Sequence, residues 1–426
     1  MFENFQQVKL FFESRKFLGI QPGLDRMEYL LHSLGNPQQS TPALHIAGTN
    51  GKGSTIEFIK KALQINGYRV GVFTSPSLDG LTGHIFKDNT SISEESFVDI
   101  LNEIHSIILH LDREGMSPTE FEIITAMAFM YFTKHVDIIL IEAGMGGRED
   151  TTNCISPIMS IITNVEKDHT SFLGDTLREI AYHKAGIIKQ DTPAIVGDMA
   201  NEAREVVIQE AREKQVSLHQ MGQDFIYEVK ASADNLQRFV WKNSRDTKID
   251  IAIRMYGEHQ VKNASMAYMS LVKLKEIGYT IDMERCIEAF KNIQVPGRFE
   301  IIQHEPLVIL DGAHNPAGIQ SFIETVLTNY SNKERHLLFA AFKDKDTAAM
   351  LEQLSKHFSS IALTTFNHPR AASAEELYNM TASGNKSCLH DWKEVLPLTH
   401  KKDAIYFITG SLHFIAFVRT YFINKE

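Results

Sequence analysis

Residues 45–55 read HIAGTNGKGST, and this stretch decides the fold. The apolar run before it, ALHIA at 43–47, predicts a buried strand, and a helical pattern begins at Lys52. Backbone N–H groups in a glycine turn and at a helix start can cradle phosphates, with a lysine reaching their terminal oxygens. The residues predicted to bind a nucleotide here are Gly48, Thr49, Asn50, Gly51, Lys52, Gly53, Ser54 and Thr55.

The spacing departs from the common GxxxxGK[ST] phosphate loop. Only two residues separate Gly48 from Gly51, and Gly53 follows the lysine where a Mg²⁺-binding hydroxyl is usual. Another oxygen ligand must therefore come from elsewhere. Ser75 follows the strand predicted at 69–73 and can supply it, although a plain turn residue before Pro76 is the alternative.

Outward from the loop, apolar runs alternate with helical patterns. VDIILIE at 136–142 and PIMSIIT at 157–163 are apolar throughout, as strands buried on both faces are. This alternation predicts an α/β fold with a parallel sheet covered by helices. Segment 217–254 predicts a small antiparallel sheet, and 294–300 (QVPGRFE) predicts a linker. We therefore predict one domain at 1–295, which carries the phosphate loop, and a second, smaller α/β domain at 296–426.

Polar side chains follow several predicted strands at their carboxyl ends, where ligands of such sheets bind. Glu142 is a candidate to hold Mg²⁺, and His169 a candidate metal ligand. A turn-capping acid and a structural histidine are the alternatives. Lys184 lies in an apolar helical segment, where it can also be an ordinary lysine that reaches solvent. Asp311 can accept bonds from a ribose, and Arg298 can bind phosphate or form a surface ion pair.

Composition excludes several classes of protein. The chain has 426 residues, 43% hydrophobic, with 43 basic and 53 acidic side chains, a net charge of −10. This charge disfavours nucleic-acid binding, and no apolar run approaches the ~20 residues that span a membrane. Three distant cysteines and an N-terminus without a signal-peptide pattern indicate a soluble protein of the reducing cytoplasm.

Eleven motifs in order resemble the folylpolyglutamate synthase/dihydrofolate synthase family of the Mur ligase superfamily. They are HIAGTNGKGST, TSPSL, FEIITAMAF, IEAGMGGREDTTN, ITNVEKDHTSFLG, IAYHKAGIIK, GEHQVKNA, PGRFE, DGAHNP, FKDKD and TGSLH. The resemblance implies an N-terminal P-loop domain joined to a smaller Rossmann-like C-terminal α/β domain. It also implies ATP-dependent ligation, in which a carboxylate is phosphorylated and L-glutamate attacks the acyl phosphate. The implied partners are ATP, L-glutamate and dihydropteroate or a folate, and we expect a monomer.

The resemblance also assigns roles to residues. It implies two Mg²⁺ sites with Ser75 and Glu142 at the first, His169 at the second, and Lys184 as a carbamylated ligand. It matches Asn263, Arg298 and Asp311 to nucleotide contacts and His314 to a site position in the second domain. Three positions lie near the pterin, namely Thr119, Phe121 and Asp150. The catalytic set is then Lys52, Glu142, His169, Lys184 and His314.

Three positions depart from the family pattern: Ser77, His84, where a basic residue is expected, and His183, where an acid is usual. They bear on specificity for the pterin or the glutamate tail more than on ATP chemistry. A Mur-type ligase for another acid and a phosphate-loop ATPase without ligase activity remain the alternatives. The combination of His169, Lys184 and a whole domain carrying DGAHNP favours the ligase.

Overall fold

The computed structural model describes residues 1–77, 79–233, 236–244, 247–381, 384–394 and 403–424. Leu78 of the TSPSL motif therefore lies outside the described residues. No helix within these ranges is both long and apolar enough to cross a membrane.

The described part of the N-terminal half builds a large sheet of eight strands. These are β1 (Ala43–Ala47), β2 (Val70–Phe73), β3 (Ile85–Lys87), β4 (Thr90–Ser91), β5 (Ile138–Glu142), β6 (Met159–Ile162), β7 (Ala194–Val196) and β8 (Leu218–Gln220). Their order is β4-β3-β2-β5-β1-β6-β7-β8, with β1 central and the pairs from β2 to β8 parallel. The predicted parallel sheet is confirmed, and only the β2-β3-β4 edge is antiparallel.

Helices cover both faces of this sheet. They are α1 (Phe5–Glu13), α2 (Asp25–Ser33), α3 (Lys52–Ile65), α4 (Glu94–Arg113), α5 (Glu120–His135), α6 (Thr170–Leu173), α7 (Leu177–Ala185), α8 (Asn201–Glu213), α9 (Glu258–Glu276) and α10 (Met283–Phe290). One face packs on α3, α9 and α10 through Phe58 and Phe290, while the other packs on α4 and α5 through Phe97 and Phe132. The sheet is thus buried on both sides, as its apolar strands require.

A small antiparallel sheet lies within the predicted segment 217–254, although Leu218–Gln220 at the start of that segment instead pairs with β7 as the parallel edge strand β8 of the first sheet. Its strands are β9 (Phe225–Ala233), β10 (Leu236–Asn243) and β11 (Lys248–Ile253), in the order β11-β10-β9. Phe239 and Trp241 of β10 are fully buried and join the core that holds α3 and α9. The small sheet therefore packs as part of the first half of the molecule.

The C-terminal part forms a separate sheet of six strands among the described residues. Its elements are β12 (Glu300–His304), β13 (Leu307–Leu310), α11 (Pro316–Tyr330), β14 (Arg335–Phe339), α12 (Thr347–Leu354), β15 (Ser360–Leu363), α13 (Ala374–Met380), β16 (Lys386–Cys388), β17 (Ile405–Thr409) and α14 (Leu412–Ile423). The order is β12-β13-β17-β14-β15-β16, parallel except at β12. The predicted second α/β unit is confirmed. The boundary between residues 295 and 296 falls between α10 and β12 and stays a prediction.

Candidate active site at the cleft between the two sheets

The phosphate loop joins the central strand β1 to α3. Gly48 has φ 147°, and a Cβ there would collide with the side chain of Thr163, so no larger residue fits. Gly51 has φ 85°, and a Cβ there would collide with Asn263. The Asn164 side-chain oxygen accepts from the N–H groups of Thr49 and Asn50, 3.1 and 2.9 Å away. The loop is thus packed against the residues that follow β6.

Lys52 begins α3 and folds back along the loop. Its Nζ donates to the Gly48 carbonyl at 3.0 Å and lies 3.8 Å from Glu142 Oε1. The ammonium group therefore lies between the phosphate loop and the end of β5. That placement suits a cation that binds the terminal phosphates of a nucleotide.

Oxygen donors converge beside Lys52. Glu142, 5% exposed, ends β5, and its carboxylate accepts from the Thr74 hydroxyl and from the Ser75 backbone N–H. Ser75 Oγ is buried and has no hydrogen-bond partner among the described residues. A buried hydroxyl without a partner is costly unless something else binds it. The pair of oxygens from Ser75 and Glu142 is of the kind that Mg²⁺ prefers.

Two further predicted site residues line the same space. Lys184 on α7 is only 3% exposed, so it does not extend to solvent. Burial, and then the charge of Lys52, lower the pKa of Lys184 to about 7. His169 follows β6 in a left-handed conformation, φ 51°. Burial and the charge of Lys345 lower its pKa to about 4, so its ring is neutral at pH 7 and can bind a metal.

The second sheet supplies the facing wall. Asp311, at the end of β13, accepts from the N–H groups of Phe299 and Ala313, each at 2.9 Å, and burial raises its pKa. Its carboxylate thus holds the connecting segment that carries Arg298. His314 Nδ1 donates to the Gly312 carbonyl at 2.9 Å, and its Nε2 lies 3.6 Å from Asp168 Oδ2. Burial, and then the charge of Lys345, lower the pKa of His314 to about 4, so Nε2 is unprotonated at pH 7.

A cavity of about 790 Å³ brings most of the predicted nucleotide and metal residues together. It is lined by residues 48–54, Ser75, Glu142, His169, Lys184, Asn263, Arg298, Asp311 and His314, among others. Thr55 is not part of its lining, because that side chain is fully buried within α3. Seven of the eight predicted loop positions therefore face one space.

A second cavity of about 450 Å³ adjoins the first. It contains the three predicted pterin positions, Thr119, Phe121 and Asp150, together with His84 and His183. Asp150 accepts from Met145 N–H at 2.8 Å and Thr152 N–H at 3.1 Å, so it also shapes the glycine turn after β5. The lining shared by the two cavities consists of Ser75, Pro76, Gly144, Met145, His169, Leu173, His314 and Leu412.

Sequence reasoning missed four polar residues of the cleft. Thr74 bonds Glu142, and Asp168 forms an ion pair with Lys345 at 2.5 Å. Although burial alone would raise it, the charge of Lys345 holds the pKa of Asp168 well below its usual range. Ser411 precedes α14, lines the second cavity, and has a buried hydroxyl without a partner among the described residues. All four residues lie in the motifs TSPSL, ITNVEKDHTSFLG, FKDKD and TGSLH, but the motifs gave no sign of their contacts.

Comparison with known proteins places both halves of the chain. Residues 46–271 match the family model for the Mur ligase middle domain, and residues 297–412 match that for the Mur ligase, glutamate ligase domain. The dihydrofolate synthase/folylpolyglutamate synthase of Bacillus subtilis is 35% identical over 426 residues, which is 98% of this chain and 99% of that protein.

Solved structures agree over nearly the whole length. The folylpolyglutamate synthase of Mycobacterium tuberculosis, complexed with ADP and AMPPCP, has a TM-score of 0.88 at 28% identity and covers 98% of both chains. Escherichia coli FolC in complex with DHPP and ADP has a TM-score of 0.89 at 26% identity, covering 99% of this chain and 98% of that chain. The likeness therefore includes both sheets and the cleft between them.

Proposed function

The chain belongs to the folylpolyglutamate synthase/dihydrofolate synthase family of Mur ligases and is an ATP-dependent glutamate ligase; we propose that it acts on both dihydropteroate and folates. One observation carries the assignment of the site. The cavity around the phosphate loop shares a wall with the cavity that holds Thr119 and Phe121. A terminal phosphate and a carboxylate bound in these two spaces would meet at that wall.

The nucleotide would lie in the larger cavity. The loop glycines and the start of α3 face its phosphates, and Lys52 reaches their terminal oxygens. Asn263 and Arg298 line the same space from α9 and from the connecting segment. Asp311 contributes mainly by fixing that segment, since Phe299 N–H and Ala313 N–H already bond its carboxylate.

The residues present fit a first Mg²⁺ held by Ser75 and Glu142. The Ser75 hydroxyl supports this fit, because it is buried and has no protein partner among the described residues. When bound, the ion would offset the charge that develops on the transferred phosphoryl group. The described residues contain no group of three His, Cys, Asp or Glu side chains able to hold a metal. Phosphate oxygens and water would therefore complete its coordination.

A second Mg²⁺ would use His169 and a carbamylated Lys184. A lysine amine attacks CO₂ only when it is neutral, and burial lowers the pKa of Lys184 to about 7. The reaction joins the amine nitrogen to the CO₂ carbon and releases a proton, which replaces a buried cation by a carboxylate-like oxygen donor. Such a change suits a position where the charge of Lys52 already opposes a second ammonium group.

The acid substrate would enter the smaller cavity with its ring against Phe121. The incoming glutamate would bind at the N-terminus of α14. There the Ser411 hydroxyl, which has no partner among the described residues, can donate to a carboxylate. His314 Nε2 can accept an N–H bond from the attacking amine, which orients its lone pair. Residues from both halves of the chain would thus hold ATP, the acid and glutamate next to one another.

The ligase assignment is tested by measuring phosphate release. Release should require both an acceptor, dihydropteroate or tetrahydrofolate, and L-glutamate, and each acceptor should give a product one glutamate heavier. Hydrolysis of ATP that is indifferent to both additions would favour a phosphate-loop ATPase. Activity with neither pterin acid but with another carboxylic acid would favour a Mur-type paralogue.

We also propose that the enzyme works as a monomer in the cytoplasm. Both cavities are lined by residues of one chain, so the proposed chemistry does not need a second copy. The three cysteines form no disulfide, as is usual in a reducing compartment.

A further inference from the structure

A small buried polar cluster joins the phosphate loop to the second sheet. Its members are Asn50 of the loop, Asp168 after β6, and Asn315 and Lys345 from the C-terminal half. Asn50 and Asn315 are 265 positions apart in the chain. Nothing in the proposed chemistry above uses Asn315.

Asn315 uses every hydrogen-bonding position of its side chain. Its Oδ1 accepts from Gly318 N–H at 2.8 Å, which caps α11, and from Asn50 Nδ2 at 3.2 Å. Its Nδ2 donates to Asn50 Oδ1 at 3.0 Å and to Asp168 Oδ2 at 3.1 Å. Two donated and two accepted bonds satisfy an amide completely.

Chemistry fixes which way this amide points. A carboxylate and a helix N–H group leave no choice, because the first only accepts and the second only donates. The nitrogen must therefore face Asp168 and the oxygen must face Gly318, and the orientation of Asn50 follows. Only an amide satisfies Asn50, Asp168 and Gly318 together. Aspartate has no N–H groups to donate to Asn50 and Asp168. Serine could cap α11, but it has no second polar group for the other two neighbours.

The other end of the cluster is the phosphate loop itself. The Asn50 backbone N–H donates to Asn164 Oδ1 at 2.9 Å, and its carbonyl accepts from Thr163 Oγ1 at 2.6 Å. The side chain of Asn50 is thus anchored to the second sheet while its backbone is anchored to the first. A shift of the C-terminal half would pull directly on the loop that binds phosphate.

We propose that Asn315 is a positioning residue that sets the phosphate loop through Asn50, so that the loop binds nucleotide tightly only when the C-terminal half is docked. The contribution of Asn315 to ligation rests on the proposed function, but its effect on nucleotide affinity does not. We expect that loss of the hydrogen bonds between the Asn50 and Asn315 side chains weakens nucleotide binding about tenfold, which corresponds to one to two buried hydrogen bonds.

The test uses Asn315→Ser, Asn50→Ser and the double variant. Calorimetric binding of AMPPCP with Mg²⁺ should weaken about tenfold in each single variant, and the double variant should lose no more than Asn315→Ser alone. Serine keeps the cap of α11, so the unfolding temperature of Asn315→Ser should stay near that of the wild type. Ser373→Asn exchanges the cap of α13 in the same half and is the matched control, expected to bind normally.

Wild-type affinity in Asn315→Ser, or losses that multiply in the double variant, would overturn the coupling. So would a lower unfolding temperature with unchanged affinity, since that result assigns Asn315 to the helix cap alone. The ligation assay on the wild type is judged separately. A wild type that binds AMPPCP but makes no amide would sink the proposed function and leave the coupling measurable.

Discussion

At the residue scale, the sharpest feature is the pair of oxygens beside Lys52. Glu142 ends a strand and accepts two hydrogen bonds, whereas Ser75 follows the neighbouring strand and its buried hydroxyl has no partner among the described residues. We predict that Glu142→Gln raises the half-saturating Mg²⁺ concentration by about tenfold, because it removes one charged ligand oxygen. Initial ligation rates over a Mg²⁺ series measure this. Glu103→Gln, at an exposed acid on α4 that lines neither cavity, is the control, and an unchanged Mg²⁺ requirement in Glu142→Gln would refute the assignment.

Lys184 gives a second prediction at this scale. Lys184→Met should reduce kcat by at least about a hundredfold, since it removes the group that we propose carries a ligand oxygen. Removal of dissolved CO₂ and bicarbonate should lower wild-type activity, and added bicarbonate should restore it. Lys167→Met, an exposed lysine near the same strand end, should behave as the wild type. Near-normal turnover of Lys184→Met would remove the carbamate from the account.

The sequence could predict which strand-end residues meet, but not which of them pair. Glu142, Ser75 and His169 were found because carboxyl ends of parallel strands share one edge. The bonds from Asp168 to Lys345 and from Asn50 to Asn315 join residues 177 and 265 positions apart. No local pattern encodes such a pair. The burial of Thr55 shows the same limit, because one step around α3 turns a predicted phosphate contact into a core residue.

At the element scale, α5 depends on a buried ion pair. Glu122 is 0% exposed, accepts from Thr119 N–H in a capping box, and lies 3.0 Å from Arg26 Nη2. Arg26→Met should cost about 3–5 kcal/mol of unfolding free energy, because it leaves a buried carboxylate without its cation. Urea unfolding measures this loss.

A matched change tests the reason for that loss. Arg69 pairs with Asp137 at the surface, 56% and 36% exposed, so Arg69→Met should change stability little. The double variant Arg26→Met, Glu122→Met should regain more than half of the loss, since no unpaired charge remains. A loss in Arg26→Met no larger than in Arg69→Met would show that the buried pair does not hold α5.

Elements with strong local signals were predicted, and those set by partners were not. β1, β5 and β6 are apolar runs, and α4, α5 and α9 are long periodic helices, so each has a clear pattern. The edge strand β12 was not predicted. It begins at Glu300, the last residue of the predicted linker, and it is a strand because it pairs with β13. The turn of helix α6 was likewise missed. It is only four residues long and follows His169, which has a positive φ.

At the scale of the whole molecule, five histidines that are neutral in the folded protein at pH 7 make its stability depend on pH. Their pKa values are lowered chiefly by burial. They are His45, with a pKa of about 3, and His169, His259, His314 and His413, each about 4. Unfolded histidine titrates near 6.5, so between about pH 4 and 6.5 the unfolded chain binds more protons. Stability should therefore fall as pH falls from about 6.5 to 4.

His45 offers a clean test of that pH dependence. It is fully buried on the central strand, bonded to Thr152 Oγ1 at 2.9 Å. One such histidine contributes a slope of up to ~1.4 kcal/mol per pH unit. Urea unfolding at pH 5 and 7.5 should show a shallower dependence in His45→Asn than in the wild type. Equal slopes in the two proteins would mean that His45 does not titrate as the structure indicates.

The length and charge of the chain predicted the class of molecule but not its site. The repeated strand-helix alternation predicted two α/β units with parallel sheets but not the order of their strands, and the net charge of −10 gave no sign of a site for anions. The positive field is local, from Lys52, Arg298 and backbone N–H groups that line one cavity. The cleft is therefore a property of how the two halves meet, and a single sequence shows that only through resemblance.

In the proposed reaction, the acid is activated as an acyl phosphate before glutamate attacks. Dihydropteroate labelled with ¹⁸O in its carboxylate tests it most directly. One carboxylate oxygen bonds to the transferred phosphorus and leaves with it when the amine forms the amide. We predict one ¹⁸O atom in each phosphate released, read by mass spectrometry alongside a product one glutamate heavier. Phosphate without label, at any yield of amide, would contradict it.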